Sequence, residues 1–265
     1  MHNLFNLSGK VILVTGGNGY LGKAMCEALA EYGATLLIAS KNIIKNIELC
    51  NELNKKYGNK NEAYQIDLSD KDLINEKIQE IIKKYKKIDI LINNSYFGAS
   101  GKFHEMPYEN WRKGIEGSLD TVFLCTKAVI NKMLKNKNGK IINIASMYGI
   151  VAPNVYDLYE GEECSKYYNP INYGSGKAGI IQFTKYIAAV YGKEGIICNC
   201  ISPGTFPSIE VQKNKLFVER LIEKVPLKRI GKPEDLKGAI VYLCSDASNY
   251  VNGHNLVVDG GWTIW

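Results

Sequence analysis

The sequence predicts an α/β fold of Rossmann type, a doubly wound parallel sheet of about seven strands with helices on both faces. Three observations lead there. Seven short apolar runs alternate with longer stretches of helical period. A glycine-rich segment follows the first run directly. No linker, composition break or internal repeat interrupts the alternation, so residues 1–265 are expected to form one domain.

The first run, "KVILVT" (10–15), reads as a buried strand, and residues 20–32 as a helix. "TLLIA" (35–39) is the second strand, followed by a polar helix over 42–57. "EAYQI" (62–66) precedes a helix at 70–84, and "DILIN" (89–93) is the fourth strand. Two helices, 107–114 and 117–135, come before "KIINIA" (140–145). A helix over 172–191 leads into "IICNCI" (196–201). Helices near 210–223 and 233–245 then precede a last strand, "NLVVD" (255–259). Strands separated by helices favour parallel pairing through crossovers.

Composition excludes several classes of function. The net charge of +6 is spread over lysine-rich segments such as "KKYKK" (83–87), with no basic stripe interleaved with aromatics. Nucleic acid is therefore not an expected partner. The seven cysteines are scattered and include no C-x-x-C pair, which reads as reduced, buried thiols and no metal site. The start lacks an apolar signal core and no run reaches membrane-spanning length, so no membrane partner and a cytoplasmic location are expected.

The segment "TGGNGYLG" (15–22) holds Gly17-x-Gly19-x-x-Gly22 between a strand and a helix. Glycines there let main-chain N–H groups approach a pyrophosphate, whose charge a helix N-terminus favours. At the end of the second strand, NAD-selective sites usually carry an acid that holds the ribose 2′-hydroxyl. Here Ser40 and Lys41 occupy that place. A hydroxyl and an ammonium would accept a 2′-phosphate that a carboxylate would repel. NADP(H) is thus favoured over NAD(H).

Tyr173 and Lys177, in "NPINYGSGKAGI" (169–180), lie four apart and so on one face of a helix. A free tyrosine has a pKa of about 10, and lowering it by about 3 units takes roughly 4 kcal/mol. An ammonium about 4 Å away supplies that order of energy at an effective dielectric near 20. The pair is therefore a candidate proton-transfer device.

The phosphate loop, "NNSY" (93–96), "NIASMYG" (143–149), "YGSGK" (173–177) and "ISPG" (201–204) occur in this order. With them the chain resembles the short-chain dehydrogenase/reductase family from Lys10 to about Gly261. The resemblance implies Tyr173 as general acid/base, Lys177 as the lysine on the nicotinamide ribose, and Ser146 as the substrate-orienting serine. It also implies Asn93 as a brace of the sheet and Asp67 as an acid that meets the adenine. Gly16, Asn18, Gly19, Tyr20, Leu21, Gly22, Leu68 and Asn94 would complete the cofactor contacts, with Pro203, Gly204 and Thr205 beside the nicotinamide. "VDGGW" (258–262) is similar to members that assemble as homotetramers, so a homotetramer or homodimer is expected.

Three departures stand out. Ser118 occupies the place of the family's catalytic asparagine, and a proton relay through its backbone carbonyl is expected to survive, so that restoring the asparagine should change turnover only modestly. The spacing Thr15-Gly16-x-x-Gly19-x-x-Gly22 resembles that of the longer, sugar-nucleotide-modifying branch. Finally, 27 residues separate Ser146 from Tyr173, about twice the family's usual interval.

The extra segment, residues 151–170, is expected to be a substrate-facing lid. Tyr156, Tyr159, Glu160, Glu162 and Glu163 would hydrogen-bond hydroxyls or repel anions. A similar loop and ending occur in gluconate 5-dehydrogenase-like proteins and in oxidoreductases of surface-sugar or flagellin modification.

The expected activity is interconversion of a carbonyl and a secondary alcohol on a sugar, sugar acid or activated sugar. The alternatives are a 3-oxoacyl-thioester reductase and a catalytically silent dinucleotide-binding regulator.

Overall fold

A computed structural model describes residues 3–99 and 101–265. Seven parallel strands form one sheet, in the order β3-β2-β1-β4-β5-β6-β7. They are β1 (Val11–Thr15), β2 (Thr35–Ser40), β3 (Glu62–Gln65), β4 (Ile90–Asn93), β5 (Gly139–Ile144), β6 (Ile196–Pro203) and β7 (Asn255–Val258). The crossovers are α1 (Tyr20–Glu31), α2 (Ile43–Tyr57), α3 (Lys71–Tyr85), α4 (Tyr108–Ile115), α5 (Thr121–Asn136), α6 (Val155–Leu158), α7 (Glu162–Ser165), α8 (Ile171–Tyr191), α9 (Ile209–Gln212), α10 (Lys215–Lys224) and α11 (Lys237–Cys244).

Alternation along each strand divides the core in two. Ile12 and Val14 face one layer with Met25 and Leu29 of α1, Leu49 and Leu53 of α2 and Ile240 of α11. Leu13 faces the other, with Ile74, Ile78 and Ile81 of α3, Val129 and Met133 of α5 and Ile187 of α8. Both faces of the sheet are therefore covered, which is why the central strands are continuous apolar runs. All seven cysteines are free and buried. No helix among the described residues is long and apolar enough to cross a membrane.

Three segments differ from the sequence expectation. Helices 107–114 and 117–135 are joined by a π turn, Glu116–Asp120, in which Thr121 N–H donates to the Glu116 carbonyl five residues back. The helix expected near 210–223 is broken, because the Asn214 side chain accepts from Phe217 N–H at 3.0 Å and starts α10 afresh.

The segment 151–170 is not a plain loop. Its two single turns, α6 and α7, bury Leu158, Tyr159 and Cys164 against Phe217 and Leu221 of α10 and against Trp262. This third apolar cluster lies beside the ends of β5 and β6, where Met147 and Tyr148 also belong to it.

Candidate active site

The strand order reverses between β1 and β4, and a crevice opens at the carboxyl ends of such strands. Gly16 turns the chain there with φ +63°, a left-handed conformation that favours glycine. A Cβ on it would lie 2.8 Å from Ser95 Oγ. Asn94 ties this turn to β4: its Nδ2 donates to Thr15 O at 3.2 Å and Gly16 O at 2.9 Å. Asn93 Nδ2 donates to Asn143 Oδ1 at 2.8 Å, bracing β4 against β5.

The crevice has a volume of about 510 Å³ and is lined by Gly16, Asn18, Gly19, Tyr20, Leu21, Gly22 and Asn94 at one end. Ser146, Tyr173, Lys177, Pro203 and Gly204 line the other. Gly19 precedes α1 without a side-chain cap, and the first turn of α1 carries no acid. Its first N–H groups are thus left for an anion.

A second groove, about 900 Å³, continues past Ser40, Lys41, Asp67 and Leu68. A dinucleotide fits this donor set: pyrophosphate would lie at the helix start, the adenosine half beyond Asp67 and the nicotinamide half beside Lys177.

Two residues at the adenosine end are more engaged than the sequence suggests. Lys41 is exposed but pairs with Asp67 at 3.0 Å. Hydrogen bonds from Ser69, and then Lys41, hold the Asp67 carboxyl below its ordinary range. The Ser40 hydroxyl donates to Asn46 Oδ1 at 2.8 Å and accepts from Asn18 Nδ2 at 2.8 Å. Asn46 is wholly buried and anchors this knot through Tyr64 O. Sequence reasoning missed Asn46, although it lies on the buried face of α2 with Leu49 and Leu53.

At the nicotinamide end, Ser146 accepts from Tyr148 N–H at 3.1 Å and so caps the turn Met147–Gly149. That turn lies flush on α8, because a Cβ at Gly149 would meet the Lys177 carbonyl carbon at 2.7 Å. The close approach brings Ser146 to Tyr173. Lys177 is buried and its Nζ donates to Ile144 O at 2.7 Å.

The electrostatics differ from the expectation of an acidified tyrosine. Burial pushes the Tyr173 phenol up, partly offset by the Ser146 hydroxyl. Burial lowers Lys177 to about 8. Desolvation is therefore the largest effect on both groups.

Ser118 is wholly buried within the π turn. Its hydroxyl donates to Gly114 O at 2.6 Å, and its carbonyl accepts from Thr121 Oγ1 at 3.1 Å. A Cβ at Gly176 would lie 1.9 Å from Ser118 Oγ. Residue 176 must therefore be small where α8 crosses Ser118.

Beyond Ser146 and Tyr173 opens a cavity of about 560 Å³, lined by Tyr148, Tyr159, Tyr167, Asn169, Thr205, Phe206 and Phe217 among others. The hydroxyls of Tyr148 and Tyr159 are 3.0 Å apart, and Asn169 Nδ2 donates to Tyr159 at 3.4 Å. Of the expected lid residues, Tyr159 lines this cavity. Tyr156 and Glu160 do not, and neither do Glu162 and Glu163. Tyr156 is 79% exposed, and the Glu160 carbonyl instead receives Arg220 at 2.7 Å. Their turns need apolar faces against α10, which sends these side chains outward.

Two more residues escaped the sequence reading. Asn172 is wholly buried and donates to Ala99 O at 3.0 Å and Asn110 O at 2.8 Å, fastening the start of α8. Tyr96, within "NNSY", stands against Tyr173 itself. Nothing in spacing marks either one.

The fold and its crevice define a nicotinamide-dinucleotide-dependent oxidoreductase. A family model described as "Enoyl-(Acyl carrier protein) reductase" matches residues 18–263. The chain belongs to the short-chain dehydrogenase/reductase family.

It is 33% identical over 264 residues to the 3-oxoacyl-[acyl-carrier-protein] reductase of Thermotoga maritima, covering 97% of this chain and 99% of the relative. It is 31% identical over 269 residues to the 2-dehydro-3-deoxy-D-gluconate 5-dehydrogenase of Bacillus subtilis, covering 99% and 98%. Among solved structures, a gluconate 5-dehydrogenase from Burkholderia cenocepacia, in complex with NADP and tartrate, superimposes with a TM-score of 0.89. That protein shares 28% identity, and 99% and 98% of the two chains are covered.

Proposed function

We propose that the protein is an NADP(H)-dependent oxidoreductase that interconverts a carbonyl and a secondary alcohol on a small polyhydroxylated substrate. The observation that carries this reading is the hydroxyl ladder Asn169–Tyr159–Tyr148, which lines the cavity that Ser146 and Tyr173 also enter. Among the described residues the lining holds no charged side chain. A neutral keto-sugar or polyol therefore suits it better than a sugar acid.

Bound nicotinamide would supply or take the hydride. Tyr173 would protonate the carbonyl oxygen in reduction, or take the alcohol proton in oxidation, while the Ser146 hydroxyl holds that oxygen. Lys177 would hold the ribose and place its charge beside the phenol. Ser118 would serve through the π turn that seats α8, with a backbone relay as its further role. Asn18, Ser40 and Lys41 are the candidates for the 2′-phosphate, with Lys41 released from Asp67. One domain carries all of this, with 151–170 as a partly folded lid, and a cytoplasmic homotetramer or homodimer is its proposed form.

A second reading, 3-oxoacyl-thioester reduction, is supported by the acyl-carrier-protein reductases among the relatives and by the aromatic lining. Steady-state assays with NADPH and NADH, against neutral keto-sugars, gluconate-type acids and an acetoacetyl thioester, decide between them. The expected outcome is highest kcat/KM with NADPH and a neutral keto-sugar, lost in Tyr173→Phe. Preference for the thioester would replace the reading, and full activity in Tyr173→Phe would remove its mechanism.

A further inference from the structure

Tyr96 lies where three spaces meet. It lines the groove beside Asp67, the crevice beside Lys177 and the cavity beside Tyr159. Its ring stands edge-on to the Tyr173 ring, with centroids 4.9 Å apart and an interplanar angle of 81°. Lys177 Nζ lies 5.8 Å from the Tyr96 centroid and 5.6 Å from that of Tyr173, so the ammonium faces two rings.

The surrounding chain makes room for this placement. A Cβ at Gly98 would lie 2.3 Å from the Tyr96 hydroxyl, so a larger residue there would require the ring tip to shift. Asn172, adjacent to Tyr173, holds Ala99 at the far end of the same loop. The loop that carries Tyr96 and the helix that carries Tyr173 are thereby fastened to each other.

We propose that Tyr96 is a positioning residue for the Tyr173–Lys177 pair: its ring braces Tyr173 edge-on and roofs the Lys177 ammonium against water. The proposal rests on the roles given above to Tyr173 and Lys177, but not on any choice of substrate.

The titratable groups facing Lys177 across the crevice are few. They are Tyr20 from α1, Tyr96 from the loop after β4, and Tyr173 from α8 itself; β5 and β6 contribute none among the described residues. No carboxylate compensates the ammonium, so water exclusion governs its proton affinity. The attraction of a ring 5.8 Å away works in the opposite sense, but near the outer limit of such contacts, about 6 Å, it is the weaker effect. Removing the ring would admit water and raise the lysine's affinity for its proton.

The test is the pH dependence of NADPH binding, read by nucleotide fluorescence, which needs no substrate. Wild type, Tyr96→Phe, Tyr96→Gly and Lys177→Met are compared. Wild type is expected to lose affinity through an inflection near the Lys177 value of about 8. Tyr96→Phe keeps the ring and the inflection, and Lys177→Met abolishes the inflection. In Tyr96→Gly the inflection is expected to move upward by about one pH unit, as hydration returns.

An unmoved inflection in Tyr96→Gly overturns the proposal, as does Tyr96→Phe behaving like the glycine variant. An inflection that survives in Lys177→Met shows that another group is being read, and overturns the role of Lys177 as well. If Tyr96→Gly does not fold, Tyr96→Ser takes its place, with the same outcomes. Substrate preference plays no part in the measurement, so failure of the keto-sugar reading leaves the result intact.

Discussion

Gly176 and Ser118 meet where α8 crosses the π turn, and their small size sets how close the helix comes. Ser118 Oγ occupies the space that a Cβ on residue 176 would need, 1.9 Å away. Gly176→Ala should therefore cost about 1–3 kcal/mol through overpacking. Ser118→Ala removes the obstructing oxygen together with its bond to Gly114 O. The double variant should be more stable than the two single costs added together, because residues in contact couple. Urea denaturation of the four proteins measures this cycle, and strict additivity would refute the contact.

At the scale of elements, the segment 151–170 behaves as part of the wall of the cavity. Its side chains divide sharply, with Leu158 wholly buried against α10 and Tyr156 out in solvent. The Asp157–Lys224 pair at 2.8 Å is largely exposed on the aspartate side and contributes little. Docking of α6 on α10 thus depends on the apolar contacts. Leu158→Ala should weaken that docking by about 2–5 kcal/mol. Because Tyr159 follows directly, KM for the carbonyl substrate should rise at least severalfold while NADPH affinity stays unchanged. Parallel substrate kinetics and fluorescence titration check this, and an equal loss in both would mean that α6 also shapes the cofactor crevice.

At the scale of the whole molecule, the crevice and the groove beyond it span the ends of β1, β2, β4, β5 and β6, so a cofactor seated there would engage elements on both sides of the strand reversal. A ligand that binds only the folded chain at 100 times its Kd adds about 2.7 kcal/mol. For a chain of this size that corresponds to a rise in melting temperature of roughly 5–10 °C. Thermal unfolding with saturating NADPH should show that rise. AMP, which reaches only the Asp67 end, should give a much smaller one at the same concentration, and equal shifts would argue that the nicotinamide half makes no contacts.

Much of this was readable in order along the chain. The alternation of apolar runs with helical stretches dictates a parallel sheet, because strands such as Ile90–Asn93 are too short and too apolar for anything but burial on both faces. The glycine segment after β1, Ser146, and the i, i+4 pair Tyr173 and Lys177 are local patterns, set by backbone and helix geometry. Contacts between distant segments are a different matter. Tyr96 lies against Tyr173 because a loop after β4 and a helix after β5 share one end of the sheet. Asn46 reaches Asn18 and Tyr64, and Asn172 reaches Ala99, across chain separations that no periodicity encodes. The outward turn of Glu160 and Tyr156 was decided by which face of α6 and its flanks could be buried on α10. Local pattern determined the fold and the candidate pair, since both follow from neighbours in the chain. Only packing decided which side chains surround that pair and how far water is kept from Lys177, because burial is a property of the assembled fold.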